Sequence, residues 1–319
     1  MAQQLRQHHA ALKSTFLPFP QCTAMWTIRS SIFAFGCLPW LPLSQAFNHP
    51  GLLHTTSDFE RIRTEVQANA DPWIMGWYKL TNNSYASSSY TPRAQEVIYR
   101  GDDGTNAENY GNLYHDIAAG YALAVQWKVT EDITYADSAV AILDAWASTL
   151  TGIGGNSDKF LAAGIYGYEF ANVAELMRDY DGWSSDGFSA FSDMMVNVFY
   201  SMNHDFLIRH NDAEIDHYWA NWDLCNIASM LSIGVLSDND TMFQEAVDYF
   251  KNGEGNGQIN NAVWTTHEVD GQLLGQGQEA GRDQGHSMLD FSLLGSLGLT
   301  AYNQGEDFFA YSDNLILAG

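Results

Sequence analysis

The sequence predicts an all-α fold, an (α/α) toroid or incomplete barrel built from antiparallel helical hairpins. Apolar residues recur at helical spacing, the helical segments are separated by loops rich in Gly, Asn and Asp, and no run of alternating residues indicates a β-strand. Short connections between helices favour antiparallel hairpins, and hairpins placed side by side form a ring. An α-solenoid is the alternative, but no repeat of fixed period is visible.

Two kinds of helix are expected, as in a fold with an inner and an outer layer. A single apolar stripe at 135–150 predicts an outer helix, whereas residues 218–236 are apolar nearly all round and predict an inner one. Further helices are expected at about 57–68, 110–128, 164–180, 195–206, 241–252 and 288–302.

Two polar segments, 81–111 and 253–281, have no helical periodicity. Long ordered loops in a compact domain are often functional, so both are expected to lie over the mouth of the toroid. The sequence Gly-Ile-Gly-Gly at 152–155 lies between two helices and is expected to form a turn.

The N-terminal residues predict an upstream extension followed by a secretory signal peptide at about 25–46. Arg29 precedes an apolar run, Ile32–Leu43, and Ser44-Gln45-Ala46 has the small residues of a signal-peptidase site. The run is too short to span a membrane as a stable helix. The mature, secreted domain is therefore expected to comprise residues 47–319.

Composition narrows the range of partners. The chain has 319 residues with 14 Lys plus Arg and 38 Asp plus Glu, a formal net charge of −24, which argues against nucleic acids and anionic membranes as partners. An acidic polysaccharide remains possible if basic groups are placed locally. Cleavage after Ala46 would remove Cys22 and Cys37, and Cys225 in its apolar surroundings is expected to be a small buried hydrophobe.

Polar residues cluster at the start of the predicted inner helix. The segment 209–226 contains His217, Tyr218, Asn221 and Asp223, and on a helix His217 and Asn221 would share a face. Polar groups there need either partners or a wet cleft, so helix capping and a binding site are both open interpretations. Trp219 and Trp222 flank Asn221 and favour the binding site.

A second polar cluster lies at 278–286, where the long loop enters the last long helix. Asp283 is a candidate N-cap with Arg282 as its partner, while Gln284 and His286 are less well explained by capping. An Arg beside a His in an acidic protein suits the binding of a carboxylate. His267, in the same long loop, is a candidate base brought over the cleft.

Other catalytic chemistries have weaker support in the sequence. No HExxH or CxxC spacing indicates a metal site, no Gly-rich loop follows a strand, and no GxSxG sequence is present. No metal and no cofactor are therefore expected.

Three stretches, at 154–178, 218–257 and 270–286, resemble the alginate-lyase-like domain, and within it the branch of bacterial and fungal alginate and glucuronan lyases. The sequences ANWD at 220–223 and GRDQGH at 281–286 are specific in combination and weak singly. The resemblance covers roughly residues 47–319.

The resemblance implies an (α/α) toroid and β-elimination at a uronic acid. In such lyases a donor neutralises the uronate carboxylate, a base removes the C5 proton and an acid protonates the leaving oxygen. Carried over to this chain, Asn221 is the neutralising residue, Arg282 a second clamp or its support, and His286 or His267 the base. Substrate contacts are expected from the following residues: His217, Tyr218, Trp222, Gln284, Tyr166 and Tyr168.

The general acid is the least defined part of this comparison. Related lyases use a Tyr for which Tyr166, Tyr168 and Tyr218 are candidates in this chain, although none is a clear match. The family's chain usually continues past the sequence YSDNLILAG that ends here at Gly319, which implies a truncated chain whose catalytic Tyr lies further on. Two other functions remain open: a glycoside hydrolase with Asp223 and Asp283 as acid and base, or a non-catalytic carbohydrate-binding protein.

Overall fold

The computed structural model describes residues 46–319, all of which belong to one compact unit. Apart from Ala46, the predicted signal peptide at 25–46 lies outside the described residues, as do Cys22 and Cys37. Cys225 is free and fully buried, which confirms its prediction as a core residue.

The helices follow one another with short connections for most of the chain. Their bounds are α1 Thr56–Gln67, α2 Trp73–Thr81, α3 Gly111–Thr130, α4 Ile133–Ala147, α5 Lys159–Met177, α6 Ser185–Met194, α7 Ser201–Arg209, α8 Ala220–Leu236, α9 Asp240–Asn252, α10 Ile259–Ala262, α11 Gln284–Asn303 and α12 Tyr311–Ala318. A π-helical stretch, Met195–Tyr200, joins α6 to α7.

The helices form two layers, as the sequence predicts. An inner layer of α3, α5, α8 and α11 packs side by side, and α4, α6, α7 and α9 pack outside it. Helix α8 is buried on nearly every face, whereas α4 buries the single stripe Ala136, Ala139, Ile142, Leu143 and Trp146. The architecture is the predicted (α/α) toroid. Because each inner helix is followed by an antiparallel outer one, the inner helices all begin at the same end of the toroid.

No helix among residues 46–319 has both the length and the apolar character needed to cross a lipid bilayer.

Two small β-sheets correct the expectation of a structure without strands. Strand β1 (Val97–Tyr99) pairs in parallel with β2 (Gly152–Gly154), so the expected turn at 152–155 is wrong. Strand β3 (Val263–Val269) pairs antiparallel with β4 (Gln272–Gly277), within a segment expected to be a loop. Strands of three residues are too short to show alternation. The β3–β4 hairpin did have a signal, the turn sequence Asp-Gly at 270–271.

Several helix starts differ from the prediction because caps depend on one local hydrogen bond. Thr55 caps α1 and Asn239 caps α9, so each helix begins one residue before its predicted start. Helix α2 was not predicted. Helix α8 begins at Ala220, so His217 precedes it and does not share a helical face with Asn221. The predicted cap at Asp283 is confirmed, since its side chain accepts from the backbone N–H of His286.

The segment 48–54 crosses the C-terminal ends of the inner helices. The Asn48 backbone N–H donates to Gln304 on the end of α11 at 2.9 Å. The Leu53 N–H donates to Asn172 of α5 at 3.1 Å, and His54 hydrogen bonds to Tyr121 of α3. The segment therefore ties three inner helices together and closes that end of the toroid.

His49 anchors this segment through ionic contacts. Its Nδ1 lies 2.6 Å from Glu175 and its Nε2 3.0 Å from Asp238, and Arg178 contacts both acids. Burial opposes the charged imidazole, but the hydrogen bond and charge of Glu175 outweigh it, so the pKa of His49 is raised above 6.5.

A His49→Gln variant is expected to lose stability mainly at low pH. Because the pKa of His49 is higher in the folded than in the unfolded protein, protonation of His49 stabilises the fold. This stabilisation is complete at pH values below the pKa of the unfolded state, and it is lost as pH rises through the pKa of the folded state. Urea unfolding from about pH 5.5 to about pH 8.5 should therefore show a difference between wild type and variant that shrinks as pH rises. A difference independent of pH would contradict the ionic role of His49.

Candidate active site

The two polar clusters predicted from the sequence meet where α8 and α11 begin. The Gln278 side chain accepts from the Ala220 N–H at 2.8 Å, at the first residue of α8. Next to it, the Asn221 amide Nδ2 donates to Glu279 Oε1 at 2.7 Å. Asn221 and Glu279 are both buried. Glu279 thus fixes the orientation of the Asn221 amide and leaves its second N–H free of this bond.

Arg282 extends this cluster toward solvent. Its Nη1 lies 3.3 Å from Glu279 Oε1, its Nε lies 4.0 Å from Asp283 Oδ2, and its guanidinium lies 5.9 Å from the ring centroid of Trp219. Asn221 Oδ1 is buried and has no hydrogen-bond partner among residues 46–319. The cluster therefore presents an amide and a partly exposed guanidinium side by side.

Asp283 and His286 form a carboxylate–imidazole pair at the start of α11. Asp283 Oδ1 accepts from the His286 backbone N–H at 2.9 Å, and Oδ2 lies 2.6 Å from His286 Nδ1. The backbone and side-chain hydrogen bonds from His286 lower the pKa of Asp283. Because an ionised carboxylate can only accept, Nδ1 carries the proton and Nε2 is left with its lone pair. This arrangement suits a general base.

A further acid, Asp290, is buried one turn beyond His286 on α11. Burial, and secondarily the charge of Glu279, raise the pKa of Asp290 to about 7. Near neutral pH a large share of this carboxyl is protonated, which limits the negative charge beside Asn221 and Arg282.

A cavity of about 610 Å³ opens between the inner helices. It is lined by aromatic and polar side chains of α3, α5 and α11: Tyr114, Tyr121, Tyr166, Tyr168, Glu169, Asn172 and Ser296. Leu53, from the segment that closes the far end, also lines it. Tyrosine rings with a few polar groups suit the faces and hydroxyls of sugars.

Helix α8 connects the polar cluster with this cavity. Cys225 lies one turn beyond Asn221 and packs so closely on α5 that a methyl group at Gly164 would lie 2.3 Å from its Sγ. Tyr166 and Tyr168 follow on α5 and line the cavity. The cluster and the cavity are therefore separated by about two helical turns along α8 and α5.

The other predicted site residues lie in different surroundings. Trp222 is half-buried and packs against Phe206 and Tyr218 at the edge of the core. The Tyr218 hydroxyl accepts from Asn211 at 3.0 Å, and His217 is exposed beside Tyr218. Phe206, His217, Tyr218 and Trp222 thus form an aromatic cluster next to the first residues of α8.

Gln284 and His267 are both exposed. Gln284 is the first residue of α11 and lies beside the Asp283–His286 pair. His267 lies on β3 opposite Leu274, and no side-chain hydrogen bond joins it to the polar cluster within residues 46–319. The structure thus links Asn221, Arg282 and His286 through two acids and leaves His267 apart from them.

Asp223 belongs to a separate buried cluster. Its carboxylate lies 3.1 Å from His210 Nε2 and accepts from the Tyr249 hydroxyl at 3.3 Å and from the Gly257 N–H at 2.9 Å. Asp223 and His210 are both fully buried. A carboxylate so enclosed does not reach a sugar, which removes one of the two acids that the glycoside hydrolase alternative requires.

Within the described part of the chain, no group of three or more His, Cys, Asp or Glu side chains is placed to hold a metal ion.

Sequence reasoning missed three charged residues of this region: Glu279, Glu169 and Arg100. Glu279 had a local signal, since an acid three residues before Arg282 can pair with it. Glu169 and Arg100 had none, because their meeting depends on how α5 packs against the loop before α3.

Solved structures with the same architecture are alginate lyases. Alginate lyase A1-III from Sphingomonas species A1 superposes with a TM-score of 0.53 and 18% identity over 85% of this chain and 76% of that chain. A variant of A1-III complexed with a tetrasaccharide superposes with a TM-score of 0.59 and 17% identity, over 85% of this chain and 74% of that chain. An alginate lyase from Bacteroides ovatus superposes with a TM-score of 0.55 and 10% identity, over 85% of this chain and 81% of that chain. At these identities the likeness concerns the fold.

A search of curated proteins found no match.

The fold and the site together define the class: an (α/α) toroid whose tyrosine-lined cavity adjoins a cluster of amide, guanidinium and imidazole groups is suited to an acidic polysaccharide. The sequence profile of the family described as Alginate lyase matches residues 64–314. The chain therefore belongs to the alginate lyase family, whose members are polysaccharide lyases.

Proposed function

We propose that this protein cleaves a uronic-acid polymer, alginate or glucuronan, by metal-independent β-elimination. The observation that carries the proposal is the hydrogen-bonded series from Asn221 through Glu279 to Arg282, with the Asp283–His286 pair directly beside it. This series supplies carboxylate-binding groups and a base in one place. Family membership supports the reaction class.

The chemistry assigns each group a step. The free N–H of Asn221 and the guanidinium of Arg282 bind the uronate carboxylate, which makes the C5 proton more acidic and stabilises the charge that develops. His286 Nε2 removes that proton, the C5–H electron pair forms the C4=C5 double bond, and the C4–O4 bond breaks.

The leaving O4 takes a proton from a tyrosine in this proposal. Tyr166 and Tyr168 line the cavity, and burial is the main cause that raises the pKa of each. Both therefore remain protonated at neutral pH and can donate to O4 or to the sugar hydroxyls. No step in this scheme needs a metal ion.

The test is an ultraviolet absorbance assay on alginate, glucuronan and pectate in the presence of a chelator. A lyase forms a conjugated unsaturated uronate that absorbs, whereas a hydrolase yields reducing ends without absorbance. We expect absorbance to rise on alginate or glucuronan, and Asn221→Ala to lower kcat/KM by roughly 100-fold or more, because it removes a donor to the developing charge.

The Asn260→Ala variant is a suitable control, since Asn260 is an exposed asparagine on α10. It should retain wild-type activity. Activity that survives Asn221→Ala would refute the proposed site. Binding of the polymers without any product would instead identify a carbohydrate-binding protein.

A further inference from the structure

Arg100 lies against Tyr166, one of the residues that line the tyrosine cavity. Its backbone N–H donates to Gly154 O at 3.1 Å, which extends the β1–β2 pairing and fixes the loop before α3. The guanidinium carbon lies 5.3 Å from the ring centroid of Tyr110 and 5.5 Å from that of Tyr166. The parallel sheet thus holds a cation against a tyrosine that lines the cavity.

The guanidinium of Arg100 has unused hydrogen-bonding capacity. Its Nη1 is buried and has no hydrogen-bond partner within residues 46–319. Most other basic residues of the described chain pair with acids, as Arg61, Arg178 and Arg209 do. In a chain with a net charge of −24, an arginine without a carboxylate partner points to an anionic ligand.

Glu169 faces the same cavity. It follows Tyr166 by three residues on α5, so both lie on one helical face, and its half-buried side chain is part of the cavity wall. Its carboxyl makes no hydrogen bond within the described residues, and the charge of Arg100 opposes the effect of burial on its pKa. The cavity is thus lined by an acid that lacks a direct partner.

We propose that Arg100 and Glu169 form a subsite for the carboxylate of a uronate residue, in which Arg100 pairs with the carboxylate and the carboxyl group of Glu169 hydrogen bonds to it. This inference rests on the proposed function and names two binding residues beyond the reacting groups. It also gives the enzyme a means to select a carboxylated sugar over a neutral one, because a neutral sugar leaves the guanidinium unpaired.

The protonation of Glu169 gives this subsite a pH dependence. Burial raises the pKa of Glu169 to about 7, with Arg100 acting in the opposite direction. Above that pH the ionised carboxylate repels a uronate, so affinity falls as pH rises. A bound uronate carboxylate raises this pKa further, and binding is accompanied by uptake of a proton.

One other group near the site titrates close to neutral pH: burial, and secondarily the charge of Glu279, raise the pKa of Asp290 on α11 to about 7, but Asp290 does not line the cavity. The groups on the other elements around the cavity do not change charge in this range. On α3 and α5, burial raises the pKa of Tyr121 to about 12 and also raises those of Tyr166 and Tyr168. On α8, burial raises the pKa of the Cys225 thiol. In the segment 48–54, burial lowers the pKa of His54, which is therefore neutral above about pH 6.5.

Calorimetric titration with a mannuronate tetrasaccharide and a glucuronate tetrasaccharide tests the subsite. The full chain carrying His286→Ala keeps the oligosaccharides intact. We expect Kd to rise roughly tenfold from about pH 6 to about pH 8, because only the protonated form of Glu169 binds. Glu169→Gln should remove most of this dependence, the remainder coming from Asp290, and Arg100→Gln should raise Kd by roughly tenfold or more at every pH.

Two controls separate the subsite from general charge effects. Arg209→Gln removes the same charge from the end of α7 and should leave Kd unchanged. The carboxyl-reduced, neutral tetrasaccharide should bind equally weakly to the protein with and without Arg100→Gln. An unchanged Kd in Arg100→Gln, or a pH dependence that is as large in Glu169→Gln as in the parent protein, would overturn the subsite.

The failure of this inference is distinguishable from that of the proposed function. If wild type forms no unsaturated product from any polymer, the same titration in wild type still measures whether Arg100 binds a uronate. If product forms and the Arg100 variant binds and reacts as wild type does, only the subsite is wrong.

Discussion

Replacing His286 with alanine is expected to lower kcat on the preferred polymer by about 100- to 10,000-fold, the range that general base catalysis contributes. The Asp283 carboxylate holds Nδ1 at 2.6 Å, so that Nε2 is the basic nitrogen. The substitution leaves the backbone cap of α11 in place, because the cap bond uses the His286 N–H. Folding should therefore be little affected, and the loss should appear in kcat.

The Asp283→Asn variant tests separately whether Asp283 orients the imidazole of His286. Asparagine caps a helix as well as aspartate does, so stability should change little. Its amide cannot serve as the anionic partner of imidazole, and the tautomer with a basic Nε2 is no longer enforced. A substantial loss of kcat in a fully folded Asp283→Asn protein is the signature of a positioning role.

Two further histidine variants complete the comparison. His204 pairs with Glu245 on the outer layer at 2.5 Å, which makes His204→Ala a matched control with no expected effect on kcat. His267→Ala tests the other predicted base, on the exposed hairpin. Full activity in His286→Ala combined with loss in His267→Ala would move the base to β3 and contradict the assignment.

Asp223→Ala is expected to lower the free energy of unfolding by about 3 kcal/mol or more. Removing one member of a buried polar cluster leaves the others unpaired in surroundings that water does not reach. Three partners are affected: His210, Tyr249 and the backbone N–H of Gly257. Chemical unfolding in urea measures the loss.

The exposed Asp193 of α6 provides a control with the same change in net charge, and Asp193→Ala should alter stability by less than about 0.5 kcal/mol. Activity per folded molecule decides between the two roles of Asp223. If Asp223→Ala remains as stable as wild type but loses catalysis, Asp223 acts in the reaction and its structural assignment is wrong.

Much of the fold was predictable because the relevant signals are local. The apolar stripe of α4 and the all-round apolar character of α8 separated outer from inner helices, since helical periodicity reports directly which faces are buried. Asp283 was correctly identified as the cap of α11, because that interaction spans only three residues. Strands β1 and β2 were missed because three residues carry too little pattern, and the β3–β4 hairpin was missed despite its Asp-Gly turn.

The candidate site shows the same division between local and long-range information. Residue type and resemblance were enough to select Asn221, Arg282 and His286. They did not identify Glu279, the acid that contacts both Asn221 and Arg282. Glu279 meets Asn221 across 58 residues of sequence, and Arg100 meets the wall of the cavity only because the β1–β2 pairing holds its loop there. Likewise, nothing in the sequence indicated that Trp222, an expected substrate contact, would pack against Phe206 and Tyr218 while remaining half-buried.

The sequence by itself determined that this protein is a two-layered helical toroid of the alginate-lyase-like type, with its candidate site residues near the starts of a predicted inner helix and of the last long helix. Only the tertiary structure decided which polar groups pair, which are buried, and which face the cavity without a partner. The physical reason is that periodicity and capping are properties of neighbouring residues. Ion pairing, burial and the resulting pKa shifts depend instead on distances between segments that only packing sets.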